Sequence, residues 1–388
     1  MRLLYLCDAD SGGIAEYAVR QVDALAEGGA EVTLLCRPTM ETKRVQRANV
    51  LPLLPILTPR AGLLPLRIAR QIRDLRNVAR TAEREANSGV HDAMLNACYA
   101  EYFSPFWAGI YREIAKQIPI GTIAHDPVRD FVLGSRWWHR WSVRQAYSFV
   151  SHVFVHDDTP VDFGGPRPDG ISIHVIPHGP FEVSPPRKGR DEIRQRYGFT
   201  AEDRVFLSFG QIRDGKNLDR FLRAMTQLSA SVKLLVAGSG GSGSSRPPAA
   251  YRDLAEHLGV ADRCARDIRY IPEEETGDLF AAADFVLMTY SAKFRSASGV
   301  LNTAVTCRRP VLASSGPGPL KTALERYQLG VFVEPDRDAA ILEGARKLLA
   351  EPPLPEWERY ERENSWAENA RRVIDAYSRQ GTSAESPH

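Results

Sequence analysis

A chain of 388 residues exceeds the usual size of one hydrophobic core, so two domains are expected. The 43% hydrophobic and 25% charged residues are those of an ordinary globular protein, and 50 basic against 48 acidic residues exclude nucleic-acid binding through bulk charge. The five cysteines are scattered and odd in number, which fits reduced thiols in the cytoplasm, and no apolar run nears the roughly eighteen residues of a membrane span.

The first element is a buried strand, Leu3 to Cys7. Asp8-Ala9-Asp10-Ser11-Gly12-Gly13 follows, then a helix with Ile14, Ala18, Val22 and Leu25 on one face, then a second strand from Glu31 to Cys36. This βαβ unit sets Gly12 and Gly13 at the first strand–helix turn. Glycines there let the backbone approach a phosphate closely; a tight turn without a ligand is the other reading. Residues 49–66 form a proline-punctuated loop. A helix is expected over 66–85, with Ile68, Ile72, Leu75 and Ala79 on one face and Arg67, Arg70, Arg73, Arg76, Arg80 and Arg84 on the rest. It suits anionic lipid or, equally, a solvated surface. Arg136-Trp137-Trp138-His139-Arg140-Trp141 poses the same choice, between a membrane-interface cluster and a helix packing its indoles inward.

Ala93 to Asn96 and Ile118 to Ala124 read as further strands. The second ends at His125-Asp126, where open α/β sheets gather ligands, although Asp126 also suits the cap of the next helix. Short strands follow at Val153–His156 and Ile173–Ile176. The pairs His152/His156 and His174/His178 have a spacing that chelates a metal on a helix but not on a strand, so no metal site is expected. The stretch from Pro177 to Gly189, rich in proline and glycine, is the clearest linker.

A second α/β run begins at Val205-Phe206-Leu207-Ser208-Phe209-Gly210, a buried strand ending in a glycine turn. Arg213 and Lys216 then stand at the mouth of a helix carrying Leu218, Phe221, Leu222 and Met225. Two cations beside free helix amides are built to hold an anion; the alternative is an Arg213–Asp214 pair balanced in solvent. Further strands are expected at Lys233–Ala237, near Arg269–Ile271, at Asp284–Met288 and at Pro310–Ala313. Gly238 to Gly243 matches GxGxxG, but Ser244 to Pro248 separate it from the next helix, which favours a surface loop. Ser298-Gly299 opens a helix with Val300, Leu301, Ala304 and Val305, a second anion cradle that is compatible with N-capping by Ser296 or Ser298. Pro355 to Tyr377 reads as one long polar helix, and the residues after Gln380 as a frayed tail.

These stretches resemble retaining glycosyltransferases of the GT-B fold, family 4, over nearly the whole chain. Ser11-Gly12-Gly13 through Leu34 is similar to the family's opening glycine-loop unit, and Thr122 to Asp126 to its donor-site His-Asp strand. Val175-Ile176-Pro177-His178-Gly179 resembles its interdomain turn, with His for the usual Asn. Gly210 to Asn217 resembles the stretch whose cations bind the donor diphosphate, with Gln211 at the usual Arg position and Arg213 supplying the charge. Arg309 to Ser314 is similar to the strand after the donor helix.

The resemblance implies an α/β fold of two Rossmann-like domains facing across a cleft. Residues 1–182 would form the acceptor-side domain and 187–360 the nucleotide-sugar domain; 361–379 would be a helix returning to the first domain and 380–388 a flexible tail. It implies a metal-independent transferase using a UDP- or GDP-sugar as co-substrate, with no separate cofactor and no nucleic acid. The acceptor would be a glycan or a lipid-linked sugar, and the setting cytoplasmic, with a peripheral contact at the inner membrane face. His125, Arg213 and Lys216 carry the implied catalytic roles; Gly12, Gly13, Gly210, Arg295, Ser298, Gly299, Asn302 and Thr303 line the implied donor site.

One departure stands out. The family's two glutamates, eight positions apart around the donor helix, fall on Arg295 and Thr303, with Asn302 beside the latter as a neutral group for the ribose. Two alternatives follow: a catalytically inactive partner subunit of the same fold, and a sugar-nucleotide epimerase, which would need cleft carboxylates that the sequence does not offer.

Overall fold

The computed structural model describes residues 1–57, 63–128, 132, 134–180, 183–240 and 246–383. The chain divides into two compact units, Met1–His178 with Asn364–His388, and Gly179–Glu363. Each is a parallel sheet with helices on both faces.

The first unit contains β1 (Arg2–Leu6), α1 (Gly13–Glu27), β2 (Glu31–Leu35), β3 (Asn49–Leu51), α2 (Leu64–Ala86), β4 (Ala93–Asn96), α3 (Ala108–Ala115), β5 (Ile120–Ile123), α4 (Arg136–Tyr147), β6 (His152–Val155) and β7 (Ser172–Val175). The sheet order is β3-β2-β1-β4-β5-β6-β7, all parallel. Alternation along β1 explains the two covered faces: Leu3 and Tyr5 pack with Ala18, Val22 and Leu25 of α1, while Leu4 and Leu6 pack with Val78, Ala79 and Ala82 of α2.

The second unit contains α5 (Arg190–Arg196), β8 (Arg204–Phe209), α6 (Leu218–Met225), β9 (Val232–Ala237), α7 (Pro248–His257), β10 (Cys264–Asp267), α8 (Glu273–Ala282), β11 (Phe285–Thr289), α9 (Gly299–Thr306), β12 (Val311–Ser314), α10 (Pro319–Tyr327), β13 (Gly330–Phe332), α11 (Asp338–Ala350) and α12 (Trp357–Glu363). Its sheet order is β10-β9-β8-β11-β12-β13. A partly buried ion-pair cluster locks α5 to this sheet. Arg190 and Arg194 both reach Asp284, at 2.5 and 2.6 Å, and Asp284 also accepts the Val205 amide at 2.8 Å.

The last helix, α13 (Trp366–Ser383), belongs to the first unit, where Ala370, Val373 and Tyr377 join the core beside α1. Asn369 secures it: its amide nitrogen donates to the Tyr17 hydroxyl at 2.8 Å and to the Pro177 carbonyl at 2.7 Å, and its oxygen accepts from Gln21 at 2.7 Å.

Four sequence expectations change. The single helix expected over 355–377 is two, because Ser365 caps a new start by accepting the Glu368 amide at 3.1 Å. The strand expected near Arg269 lies earlier, at β10; Arg269 instead pairs with Asp267 and Glu275, and Pro272 begins α8. The helix after Asp126 starts at Arg136, capped by Ser135 rather than by Asp126. Its indoles do not all turn inward: Trp137 is 68% and Trp141 38% exposed. Gly241 to Gly243 of the GxGxxG match, and the tail from residue 384, lie outside the described residues.

Candidate functional site

In the second unit the strand order reverses between β8, which continues through α6 to β9, and its other neighbour β11. Open α/β sheets bind ligands at the carboxyl ends of strands flanking such a reversal. Gly210 closes β8 with φ 83°, and a Cβ on Gly238 would stand only 2.1 Å from the Gly210 carbonyl, so the turns after β8 and β9 need glycine at their contact. The 3₁₀ turn Asp214–Lys216 is pinned to the end of β11: Ser291 donates its amide to Gly215 at 2.9 Å, and Thr289 donates its hydroxyl to the Lys216 carbonyl at 3.0 Å.

Lys216 is therefore held inside this turn, its ammonium donating to the Phe209 carbonyl. The ammonium nitrogen and the Val300 side chain, in the first turn of α9, lie 3.6 and 4.0 Å from the position a Gly210 Cβ would take. Burial, helped by the neighbouring Arg213 charge, pulls the Lys216 pKa from 10.5 down to about 7. Arg213 is exposed and its guanidinium has no partner among the described residues. Asp214 does not balance it. That carboxylate pairs with Arg246 at 2.7 Å and accepts the Tyr251 hydroxyl at 2.9 Å, which leaves the Arg213 charge uncompensated.

Ser298 is the N-cap of α9, but its side chain makes no capping bond and lies 3.3 Å from the buried Tyr290 hydroxyl. The Gly299 and Val300 amides, in the first turn, have no intrahelical acceptor. Burial raises the pKa of the Tyr290 phenol, and the Ser298 hydrogen bond and the nearby Arg213 charge act against it. Asn302 and Thr303 point elsewhere. Asn302, 2% exposed, accepts the Tyr360 hydroxyl at 2.7 Å and donates to the Gly179 carbonyl at 3.3 Å, while Thr303 donates back to Gly299 at 3.1 Å. Both side chains are thus engaged by protein, unlike the ribose-facing role expected of them. Arg295 is exposed, its carbonyl packed against Gly318.

The first unit has its own reversal, between β1 and β4. Gly12 precedes α1 with φ 83°, and a side chain at Gly12 or Gly13 would meet no atom within 4 Å. A cavity of about 350 Å³ opens here, lined by Ile14, Tyr99, Glu101, Tyr102, His125 and Asp126 among others. His125 is partly exposed, yet its ring nitrogens are shielded. Nδ1 meets His156 Nε2 at 3.3 Å, and Nε2, beside the Ala97 carbonyl, makes no hydrogen bond of good geometry. Burial and the nearby His178 push its pKa down to about 3, so the imidazole is neutral. Tyr17 is the hub of this cluster, with ring centroids 4.8, 5.5 and 5.1 Å from His125, His156 and His178. No group of three His, Cys, Asp or Glu among the described residues converges as a metal site.

Of the residues expected at the donor site, Gly210, Arg213, Lys216, Ser298 and Gly299 lie in one unit, with Lys216 and Val300 beside Gly210 and Ser298 beside Tyr290. The sequence reading missed Tyr290, the diversion of Asp214 by Arg246, and the Tyr17 hub. No local signal marks these, since each depends on partners eight to well over a hundred residues away.

The fold has known counterparts. The structure of Anabaena HepE in complex with UDP and glucose aligns with a TM-score of 0.72 at 16% identity, covering 98% of this chain and 100% of that one. Two Rossmann-like units in this arrangement of strands define the GT-B fold. A D-inositol 3-phosphate glycosyltransferase of Nocardiopsis dassonvillei is 27% identical over 88% of this chain and 82% of its own length. Its counterpart in Mycobacteroides abscessus is 29% identical, over 51% of this chain and only 41% of its own length. The family model described as Glycosyl transferases group 1 matches residues 189–373, a stretch that takes in most of the second unit and the start of the last helix.

Proposed function

We propose that the chain transfers a glycosyl group from a UDP- or GDP-sugar to a hydroxyl of a glycan or lipid-linked acceptor, with retention of anomeric configuration. The observation that carries this reading is the uncompensated Arg213 charge beside Lys216 at the strand-order reversal of the second unit. Departure of a nucleoside diphosphate leaves negative charge on phosphate oxygens, and preorganised cations and amides lower that barrier. Arg213, Lys216 and the Gly299 and Val300 amides supply this stabilisation, which is the basis for metal-independent action. Lys216, poised near pKa 7, takes up its proton as the phosphates arrive.

The carboxylates of that neighbourhood are already engaged, Asp214 by Arg246 and Asp336 by Asn217 at 2.8 Å. This supports same-face displacement, in which the leaving phosphate accepts the acceptor's proton, over attack by a protein carboxylate. The neutral His125, its ring nitrogens turned inward, offers the edge of its ring to the sugar and adds no charge there. The curated relatives are named for a phosphorylated acceptor, but among the described residues the 350 Å³ cavity is lined by Glu101 and Asp126 and by no Lys or Arg, which favours an uncharged hydroxyl-bearing group. No described helix is long and apolar enough to cross a membrane. The exposed Leu63, Leu64, Leu66 and Ile68 at the start of α2, a helix with six arginines against three acidic residues, supply the peripheral contact with anionic lipid.

A nucleotide-release assay across UDP- and GDP-sugars, with proton NMR of the product's anomeric centre, tests the proposal. Release that is lost in Lys216→Met, with an unchanged anomer, is expected. Tight UDP binding without turnover would instead favour the non-catalytic partner, a reading that Arg295 and Thr303 motivate.

A further inference from the structure

Apart from both strand-order reversals, the first unit carries a second concavity of about 680 Å³, walled by α4 and the loop before β7. Its lining includes Trp137, His139, Arg140, Trp141, Arg144 and Asp162. Trp137 and Trp141, one helical turn apart, are offset-stacked, with centroids 5.4 Å apart and planes 19° from parallel. Trp138 meets Trp141 edge-on at 5.3 Å and leans on Phe106. The two exposed indoles thus form a braced apolar platform rather than two loose side chains.

Polar groups surround the platform. The His139 ring bridges the Tyr102 hydroxyl and Asp162, at 2.9 Å on each side, and Asp162 also accepts the Gly164 amide at 2.8 Å. Gly164, with φ 70°, lets the loop close onto the helix; a Cβ there would stand 2.4 Å from the Arg140 carbonyl. Neither the Arg140 nor the Arg144 guanidinium has an acceptor among the described residues, and α4 contains no acidic residue. Tyr102 lines the other cavity, so one hydrogen-bonded chain forms the wall that the two cavities share.

We infer that this basin is a binding site for an acidic glycan. Aromatic faces take the apolar C–H face of a pyranose ring, and the arginine forks take carboxylate or phosphate groups in planar, bidentate contact. The Asp162 and His139 edge meets sugar hydroxyls. A lipid surface is the competing occupant, but bilayers seat on convex apolar faces, and this one is concave and rimmed by hydrogen-bonding groups. The assignment does not depend on transferase activity.

The test is titration of the full chain with tetragalacturonate, maltotetraose and phosphatidylglycerol vesicles, followed by tryptophan fluorescence and calorimetry. Tetragalacturonate should bind, more weakly as salt rises. Trp137→Ala and the double variant Arg140→Gln/Arg144→Gln should each lose about tenfold or more in affinity. Both changes are on exposed side chains, and unaltered melting with retained UDP binding would certify the fold. Equal binding of maltotetraose overturns the acidic assignment. Binding of neither glycan, or vesicle binding that is lost in Trp137→Ala, overturns the site as a glycan site.

Discussion

Raising the pH from 7 to 9 should weaken UDP binding about 50-fold, and the cause should be Lys216 alone. In the free protein burial and Arg213 hold that ammonium near pKa 7, against the ordinary 10.5. Half the molecules carry the charge at pH 7, and about one in a hundred at pH 9. On the proposed reading a bound diphosphate should restore the ordinary value, so the bound state would keep its proton throughout this range and the affinity would track the protonated fraction of the free protein. The change is roughly 2.3 kcal/mol at about 1.4 kcal/mol per pKa unit. The terminal phosphate of UDP, with a second pKa near 6, is essentially ionised over this range and adds little. Isothermal titration calorimetry in buffers of different ionisation enthalpy should also show uptake of about 0.9 proton per UDP at pH 8. Lys216→Met should bind weakly at pH 7 with a flat profile. Parallel profiles for wild type and Lys216→Met, without proton uptake, would refute the reasoning.

Arg213→Ala should cost about tenfold or more in UDP affinity at an unchanged melting temperature, because the exposed guanidinium has no partner within the described protein. Asn302→Ala should do the reverse: its hydrogen bonds with the Tyr360 hydroxyl and the Gly179 carbonyl are lost, stability falls by roughly 1–3 kcal/mol in urea, and UDP affinity holds. A loss of affinity without a loss of stability would return Asn302 to the ribose. Asp284→Ala strands Arg190 and the buried Arg194, and calorimetric unfolding should show roughly 3–5 kcal/mol lost. Acid should act through the Tyr17 cluster. His125, at about 3, and His156, also well below 6.5, are neutral when folded but protonate at 6.5 when unfolded, so the unfolded state binds more protons as pH drops from 6.5 towards 4. Stability should then fall by up to about 1.4 kcal/mol per pH unit for each histidine; equal urea midpoints at pH 6.5 and 5 would remove this account.

The sequence alone determined most of the fold and half of the site. Apolar runs of three or more residues between amphipathic helices specify parallel strands covered on both faces, as Leu3 to Leu6 and Val205 to Leu207 show. The cation turn at Arg213 and Lys216 was legible because strand, glycine, cations and helix start are contiguous in the chain. Pairing was not. That Asp214 would turn to Arg246 and leave Arg213 charged, that Asn302 would brace Tyr360, and that Trp137 and Trp141 would face outward as a platform depend on side chains from separate elements. A side chain's neighbours are set by how sheets and helices pack, and the periodicity of one segment says which face is apolar without saying what will cover it. The division of residues 355–377 into two helices in different units shows the same limit: Ser365 as a cap is a local signal and the family resemblance implies a return to the first domain, but the contacts with α1 that hold the final helix there come from packing.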